Sequence, residues 1–247
     1  MLPKKLKDKI DARASDSSLR SLGLRQDLLD FSSNDYLGFS SSKKMYNKAC
    51  SVLKQHNYQV NGATGSRLLT ANHPLYLDTE KQIASFHNTP SALIFNSGYD
   101  ANIGFFSSVP QRGDVILYDA LCHASIRDGI AMSHAKGHKF AHNNLQGLEA
   151  LLEAQNAASK IRPEIYVVTE DVFSMDGDRP ALKEVASLCK KYSAYLIVDQ
   201  AHATGVIGPK GKGLVQELVL EDLVFARIVT FGKALGCHGA AILGSCE

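Results

Sequence analysis

Hydrophobic residues in this chain fall into short unbroken runs separated by longer stretches with helical spacing. The runs are Ala92–Asn96, Val115–Tyr118, Lys139–Ala141, Ile165–Thr169, Tyr195–Asp199, Ile228–Phe231 and Ala240–Leu243. Their length and apolar character predict strands, and the intervening patterns predict helices over 74–87, 99–108, 123–134, 144–158 and 180–192. Two further helices are expected: 43–56, and 3–14, where Leu6, Ile10 and Ala14 share one side. The stretch LLDFSSNDYLGFS (28–40) reads as a strand-like run ending in a polar turn. Continuous apolar strands alternating with helices predict an α/β fold with a mostly parallel sheet sandwiched by helices. No internal repeat, low-complexity segment or interdomain linker breaks this alternation.

Composition narrows the classes of function. The chain has 247 residues, 45% of them hydrophobic, with 27 basic against 25 acidic side chains. Such a chain is neither collagen-like nor disordered nor a coiled coil. A net charge of +2 leaves no basic excess for a run of phosphates, so no nucleic-acid partner is expected. No apolar run is long enough for a bilayer, and the N-terminus lacks a signal-peptide core and carries Asp8 and Asp11. The expected compartment is cytoplasmic, with no membrane partner. Five scattered cysteines without CxxC spacing imply reduced thiols. His134, His138 and His142 recur every four residues, but Gly137 interrupts any helix and no acidic residue lies within the run. GHKFAHNN reads as a short strand and turn, so surface histidines and no metal are expected.

In open α/β sheets ligands sit at the carboxyl ends of strands. The reactive strand ends are Asn96-Ser97-Gly98-Tyr99, the segment from Thr169-Glu170 to Asp178, Asp199-Gln200-Ala201-His202, and Thr230-Phe231-Gly232-Lys233. A lysine at the end of a buried strand is desolvated, which favours a neutral amine able to form a Schiff base. An aspartate ending an apolar strand needs a partner, and the protonated ring nitrogen of pyridoxal phosphate would serve. Ser97-Gly98 before a helix offers backbone amides to a phosphate. Each element also has a plain alternative: turn chemistry for Ser97-Gly98, a helix cap for Asp199, a loop lysine for Lys233. A nucleotide-binding alternative lacks its GxGxxG after the first strand.

Seven blocks in order then resemble one family. They are FSSNDYLG (31–38), GATGSRLLTANHPLY (62–76), FNSGYDAN (95–102), DALCHASIRDG (119–129), EDVFSMDGD (170–178), VDQAHATGVIG (198–208) and TFGKALGCHGAA (230–241). From about Leu19 onward the chain resembles the α-oxoamine synthases. These are fold-type I pyridoxal-phosphate enzymes that condense an amino acid with an acyl-CoA and release carbon dioxide. FSSNDYLG and TFGKALGCHGAA are most like the branch that joins L-alanine to pimeloyl-CoA, or to the pimeloyl carrier-protein thioester, in biotin synthesis. Relatives within the family use glycine or serine with other acyl-CoA thioesters.

The resemblance implies pyridoxal 5'-phosphate as cofactor, with Lys233 as the Schiff-base lysine that also moves protons at the substrate Cα. It implies Asp199 as pyridinium partner, His202 at the phenolic oxygen and His123 stacked on the ring. Gly98 and Tyr99 match the phosphate-binding backbone, Ser174 and Thr230 hydroxyl contacts to the cofactor, and Asn34 and Arg20 substrate contacts. Glu170 is an active-site candidate without an assigned role. A homodimer with its active site near the subunit interface is also implied. Residues 1–42 are expected as an N-terminal segment and 43–247 as the cofactor-binding large domain. Two departures stand out. Gln200 replaces a common family glutamate, and the chain stops fourteen residues after Lys233. The family's smaller C-terminal domain is therefore expected to be missing, and a cofactor-binding module without turnover is an alternative to the enzyme.

Overall fold

A computed structural model describes residues 2–23, 28–59, 61–157 and 162–247. These residues form two compact units, 1–33 and 34–247. The first contains helix α1 (Lys4–Ser15), which buries no residue. The second contains α2 (Lys43–Gln55), α3 (Pro74–Phe86), β1 (Ser91–Phe95), α4 (Gly98–Ser108), β2 (Val115–Asp119), α5 (Ala124–Met132) and β3 (Lys136–Phe140). It continues through α6 (Leu145–Ala157), β4 (Ile165–Glu170), α7 (Leu182–Lys191), β5 (Tyr195–Asp199), the single turn α8 (Leu214–Glu217), β6 (Ala226–Thr230) and β7 (Ala240–Gly244).

The seven strands form one sheet in the order β1-β7-β6-β5-β4-β2-β3. β3, β2, β4, β5 and β6 run parallel, while β7 lies antiparallel to both β6 and β1. Register decides what meets at the carboxyl edge. Glu170 pairs with Asp199, Asp119 with Phe140, and Thr230 and Phe95 each with Ala240. The first residues of α4, the end of β2 and the tips of β4, β5 and β6 thus share one edge.

Alternation along β4 shows how the layers are built. Ile165 and Val167 face a core with Leu148 and Leu152 of α6 and Val185 of α7. Tyr166 and Val168 face the opposite core, with Phe105 and Phe106 of α4 and Ile126 of α5. β4 is buried on both faces, which is why it reads as an unbroken apolar run. In α7 the buried residues are Leu182, Val185, Ala186 and Cys189, one stripe of a helix whose other side is polar.

The mostly parallel sheet and its flanking helices follow the expected order, with shifted boundaries and two corrections. β3 begins three residues before the expected Lys139, because Lys136 already pairs with Val115 and donates to Asp114. The run 28–40 contains no strand. Asp30 accepts from the amides of Ser32 and Ser33, and Asp35 from those of Phe39 and Ser40, so side chains replace a strand ladder with local turns. Among the described residues no helix is long and apolar enough to cross a membrane.

The histidine run is not helical. His134 lies in a bend, His138 in β3 and His142 in the turn before α6. Expectation of a surface role fails for His142, which is half-buried and held by two carboxylates. Spacing could not show this, because Asp119 and Asp178 arrive from distant parts of the chain. Cys122 and Cys189 are buried thiols, and burial pushes the pKa of Cys189 up to about 12.

Candidate active site

The strand ends enclose a cleft of about 220 Å³, lined among others by Gly98, Asn102, His123, Asp199, His202 and Lys233. A larger hollow, about 500 Å³, lies along 61–76 beside α3 and Ile94. Its wall holds His73 and otherwise hydroxyl, amide and apolar groups, with no amine or carboxylate, so volume alone does not mark the reactive centre. Arg67 anchors that segment through two bonds to Glu80, 2.7 and 2.9 Å, while Glu80 also accepts from the Ile94 amide.

Each reactive group reaches the cleft through its own local device. β6 ends at Thr230, whose hydroxyl accepts from the Gly232 amide at 3.3 Å and turns the chain toward Lys233. Gly236 closes the turn at φ +61°, where a Cβ would stand 2.2 Å from the Ser40 nitrogen. Only glycine permits that approach. Ser97 caps α4, accepting from the Asp100 amide at 3.0 Å, and leaves the helix N-terminus facing the cleft at Gly98 and Tyr99. His123 caps α5 by accepting from the Ser125 amide at 3.2 Å, and its own amide donates to Glu170 Oε1 at 2.6 Å.

Lys233 Nζ lies 2.5 Å from His202 Nε2, and His202 Nδ1 lies 2.8 Å from the Tyr36 hydroxyl. Tyr36 in turn reaches Asn34 Oδ1 at 3.0 Å. One assignment satisfies the chain: Tyr36 donates to Asn34, His202 Nδ1–H donates to Tyr36, and His202 Nε2 accepts from Lys233. Burial, then the nearby Lys233 and His123, holds the His202 pKa down at about 4, consistent with a neutral ring. Burial also lowers the Lys233 pKa, against the opposing pull of Asp199, Glu170 and Asp171. The amine is thus poised toward its nucleophilic form.

Asp199 is buried and accepts from Asn102 Nδ2 at 2.9 Å and from the Ala201 amide at 2.9 Å. Asn102 also donates to Ser125 Oγ at 3.0 Å, and Ser125 meets His123 Nδ1 at 2.8 Å. Asn102 Oδ1 is buried without a protein partner among the described residues. Burial first, and Asp199 second, raise the Glu170 pKa, partly offset by the His123 amide and Lys233. Behind the cleft, Gln200 Nε2 donates to the wholly buried Asp171 at 3.0 Å, so the amide at 200 serves a carboxylate that a glutamate would repel.

Most of the expected site residues converge. Gly98, Tyr99, His123, Asp199, His202, Thr230, Lys233, Asn34 and Glu170 all line the cleft. Ser174 does not; it is exposed in the turn following Glu170. Arg20 belongs to the 1–33 unit and is exposed there. Tyr36, Asn102 and Ser125 also join the network around the cleft, and no strand-end position in the sequence marks them. The available signal was their place inside the blocks FSSNDYLG, FNSGYDAN and DALCHASIRDG, with Asn102 one helical turn beyond Gly98.

Residues 26–247 match the family described as Aminotransferase class I and II. An 8-amino-7-oxononanoate synthase from Emericella nidulans is 46% identical over 228 residues, covering 87% of this chain and 55% of that protein. Among solved structures, a serine palmitoyltransferase from Sphingomonas wittichii superposes with a TM-score of 0.79 at 31% identity, covering 87% of this chain and 52% of its own. A serine palmitoyltransferase from S. paucimobilis with bound PLP and myriocin gives a TM-score of 0.85 at 25% identity, covering 98% and 63%. The chain spans about half the length of the curated relatives it matches.

Proposed function

The chain belongs to the aminotransferase class I and II family, and from that membership we propose that it is a pyridoxal-phosphate-dependent acyltransferase. It condenses L-alanine with pimeloyl-CoA, or the pimeloyl carrier-protein thioester, with loss of carbon dioxide, giving 8-amino-7-oxononanoate for biotin synthesis. The observation carrying this reading is the half-buried Lys233 amine 2.5 Å from a neutral His202, in the same cleft as the Asp199 carboxylate. The name of the Emericella relative supports this choice of substrates.

The residues fit the cofactor. Gly98 and Tyr99 amides with the Thr230 hydroxyl would hold its phosphate, and His123 would lie on its ring. Asn102, with an acceptor oxygen still open, and Asn34 add polar groups at the rim. When bound, the cofactor supplies a conjugated cationic ring able to accept the electron pair left at the substrate Cα. Asp199, fixed by Asn102 and Ala201, would hold the proton on the ring nitrogen. His202, fixed by Tyr36, holds its Nε2 at the lysine and would orient the phenolic oxygen. Lys233 Nζ takes the proton from the substrate Cα and later returns one. Asn34, which lines the cleft, would contact the substrate.

In this reading residues 43–247 form the cofactor-binding large domain and 1–42 its N-terminal segment, in a cytoplasmic homodimer with the active site near the subunit interface. The serine palmitoyltransferase neighbours favour a second reading, serine or glycine with a different acyl-CoA. Incubation with pyridoxal phosphate, then with each amino acid and thioester in turn, separates the two. Free CoA and a nine-carbon amino keto acid from alanine and pimeloyl-CoA are expected. Release of CoA only with serine or glycine selects the second reading, and absence of cofactor absorbance overturns both.

A further inference from the structure

Outside the cleft, the same edge of the sheet holds a second, partly buried charge cluster. His142 Nδ1 is 2.8 Å from Asp119 Oδ1, and His142 Nε2 is 2.8 Å from Asp178 Oδ2. Asp119 is 1% exposed, and Asp178 Oδ1 is buried with no protein partner among the described residues. Asn143 ties the same groups, its amide donating to Asp119 Oδ2 at 2.8 Å and its side chain to Asp178 Oδ2 at 2.7 Å. Phe173 packs edge-on against the imidazole, ring centres 4.5 Å apart. A carboxylate can only accept, so an imidazole bonded to one on each nitrogen donates from both and carries a positive charge.

The two carboxylates belong to the segments next to two residues that line the cleft, His123 and Glu170. Asp119 ends β2 and accepts the Leu121 amide at 2.8 Å, shaping the turn that delivers His123. Asp178 closes the loop that follows Glu170, its carbonyl accepting from the Phe173 amide at 3.0 Å. His123 and Glu170 are themselves joined across the cleft wall at 2.6 Å.

We propose that His142 is a positioning residue, an imidazolium clamp that holds the His123 turn and the 171–178 loop together and so sets the cleft wall against which the cofactor ring lies. This rests on the cofactor reading above for its consequence, not for the clamp itself. Burial works against the His142 charge, but the bonds to Asp119 and Asp178 outweigh it and raise its pKa. Those two carboxylates are the charged groups that act on it; Phe173 and Asn143, the other groups against the ring, are uncharged. Loss of the His142 proton at higher pH would leave two carboxylates facing one donor and loosen the wall.

The test follows imidazole nitrogen resonances in protein labelled with ¹⁵N-histidine, without cofactor, from about pH 5.5 to about pH 9, for wild type, His142→Gln and Asp178→Asn. Both His142 nitrogens should be protonated at neutral pH, titrating above the ordinary histidine range, and Asp178→Asn should lower that titration. The His123 signals should move in both variants, and pyridoxal phosphate should bind about tenfold more weakly, a difference from wild type that fades as pH rises through the His142 titration. A neutral His142 near pH 7 in wild type overturns the proposal. So do unchanged His123 signals and cofactor affinity in Asp178→Asn, the milder variant that decides the matter if His142→Gln fails to fold. Wild-type protein that takes up no cofactor overturns the function above, and the His142 and His123 signals then decide the clamp alone.

Discussion

Two cations sit among carboxylates at the carboxyl edge of one sheet, and the surroundings treat them oppositely. Lys233 has Asp199, Glu170 and Asp171 near enough to favour its charge, yet burial prevails and its pKa falls. His142 is also penalised by burial, yet its pKa rises. The difference lies in what each nitrogen touches. His142 has a carboxylate oxygen 2.8 Å from each nitrogen, whereas the hydrogen bond at Lys233 Nζ is to the imidazole of His202. Direct charge-assisted bonds hold a proton that nearby but unbonded charges do not. One arrangement suits a lasting structural cation and the other an amine that must lose its proton to react.

The largest effect should come from removing the lysine side of this contrast. Lys233→Ala protein should lose the cofactor absorbance near the visible edge entirely, read from spectra after gel filtration with pyridoxal phosphate. Retention of that chromophore without added amine would refute the role of Lys233. Asp199→Asn keeps the bond from the Ala201 amide but removes the charge, and turnover should fall roughly 100-fold, measured as CoA release at saturating thioester.

Asp171 sharpens the comparison as a buried carboxylate bonded to amides and not to a cation. Burial raises its pKa to about 7, because the bonds from Gln200 and Leu214 only partly offset desolvation. The unfolded chain releases this proton near pH 4 and the folded one near pH 7, so the group makes stability decline as pH climbs through that window. Asp171→Asn should remove a decline of about 2 kcal/mol or more, seen as a flatter urea-midpoint profile. A profile equal to wild type would show that Asp171 is already ionised in the folded protein.

The smallest effect concerns His202. Its pKa is depressed from 6.5 to about 4, so the unfolded chain binds a proton that the folded one refuses. Stability should therefore rise as pH increases from about 4 to 6.5, and His202→Gln should reduce that rise in thermal melts taken across the window. An unchanged slope would assign it to other groups, among them His87, which burial and then Arg227 also depress to about 4.

Much of the fold was legible because its signals are local. The unbroken apolar run Ile165–Thr169 marks a strand buried on both faces, and the stripe Leu182, Val185, Ala186, Cys189 marks a helix covering it. Strand-end chemistry was legible for the same reason: Gly98, Asp199 and Lys233 each follow an apolar run directly. What failed was local pattern set against side-chain competition. In 28–40, apolar residues suggest a strand while Asp30 and Asp35 bond the backbone into turns.

By itself, then, the sequence determined an α/β sheet of mostly parallel strands and a set of reactive residues at strand ends, since period and position are written within a few residues. Tertiary structure alone decided which of those groups touch. The pairing register puts Glu170 beside Asp199, and long-range approach brings Tyr36 to His202 and Asp119 and Asp178 to His142. Spacing of His134, His138 and His142 contained no trace of that last arrangement. Protonation depends on burial and on atoms within about 3 Å, and such neighbours come from segments that the fold joins and the order of residues leaves apart.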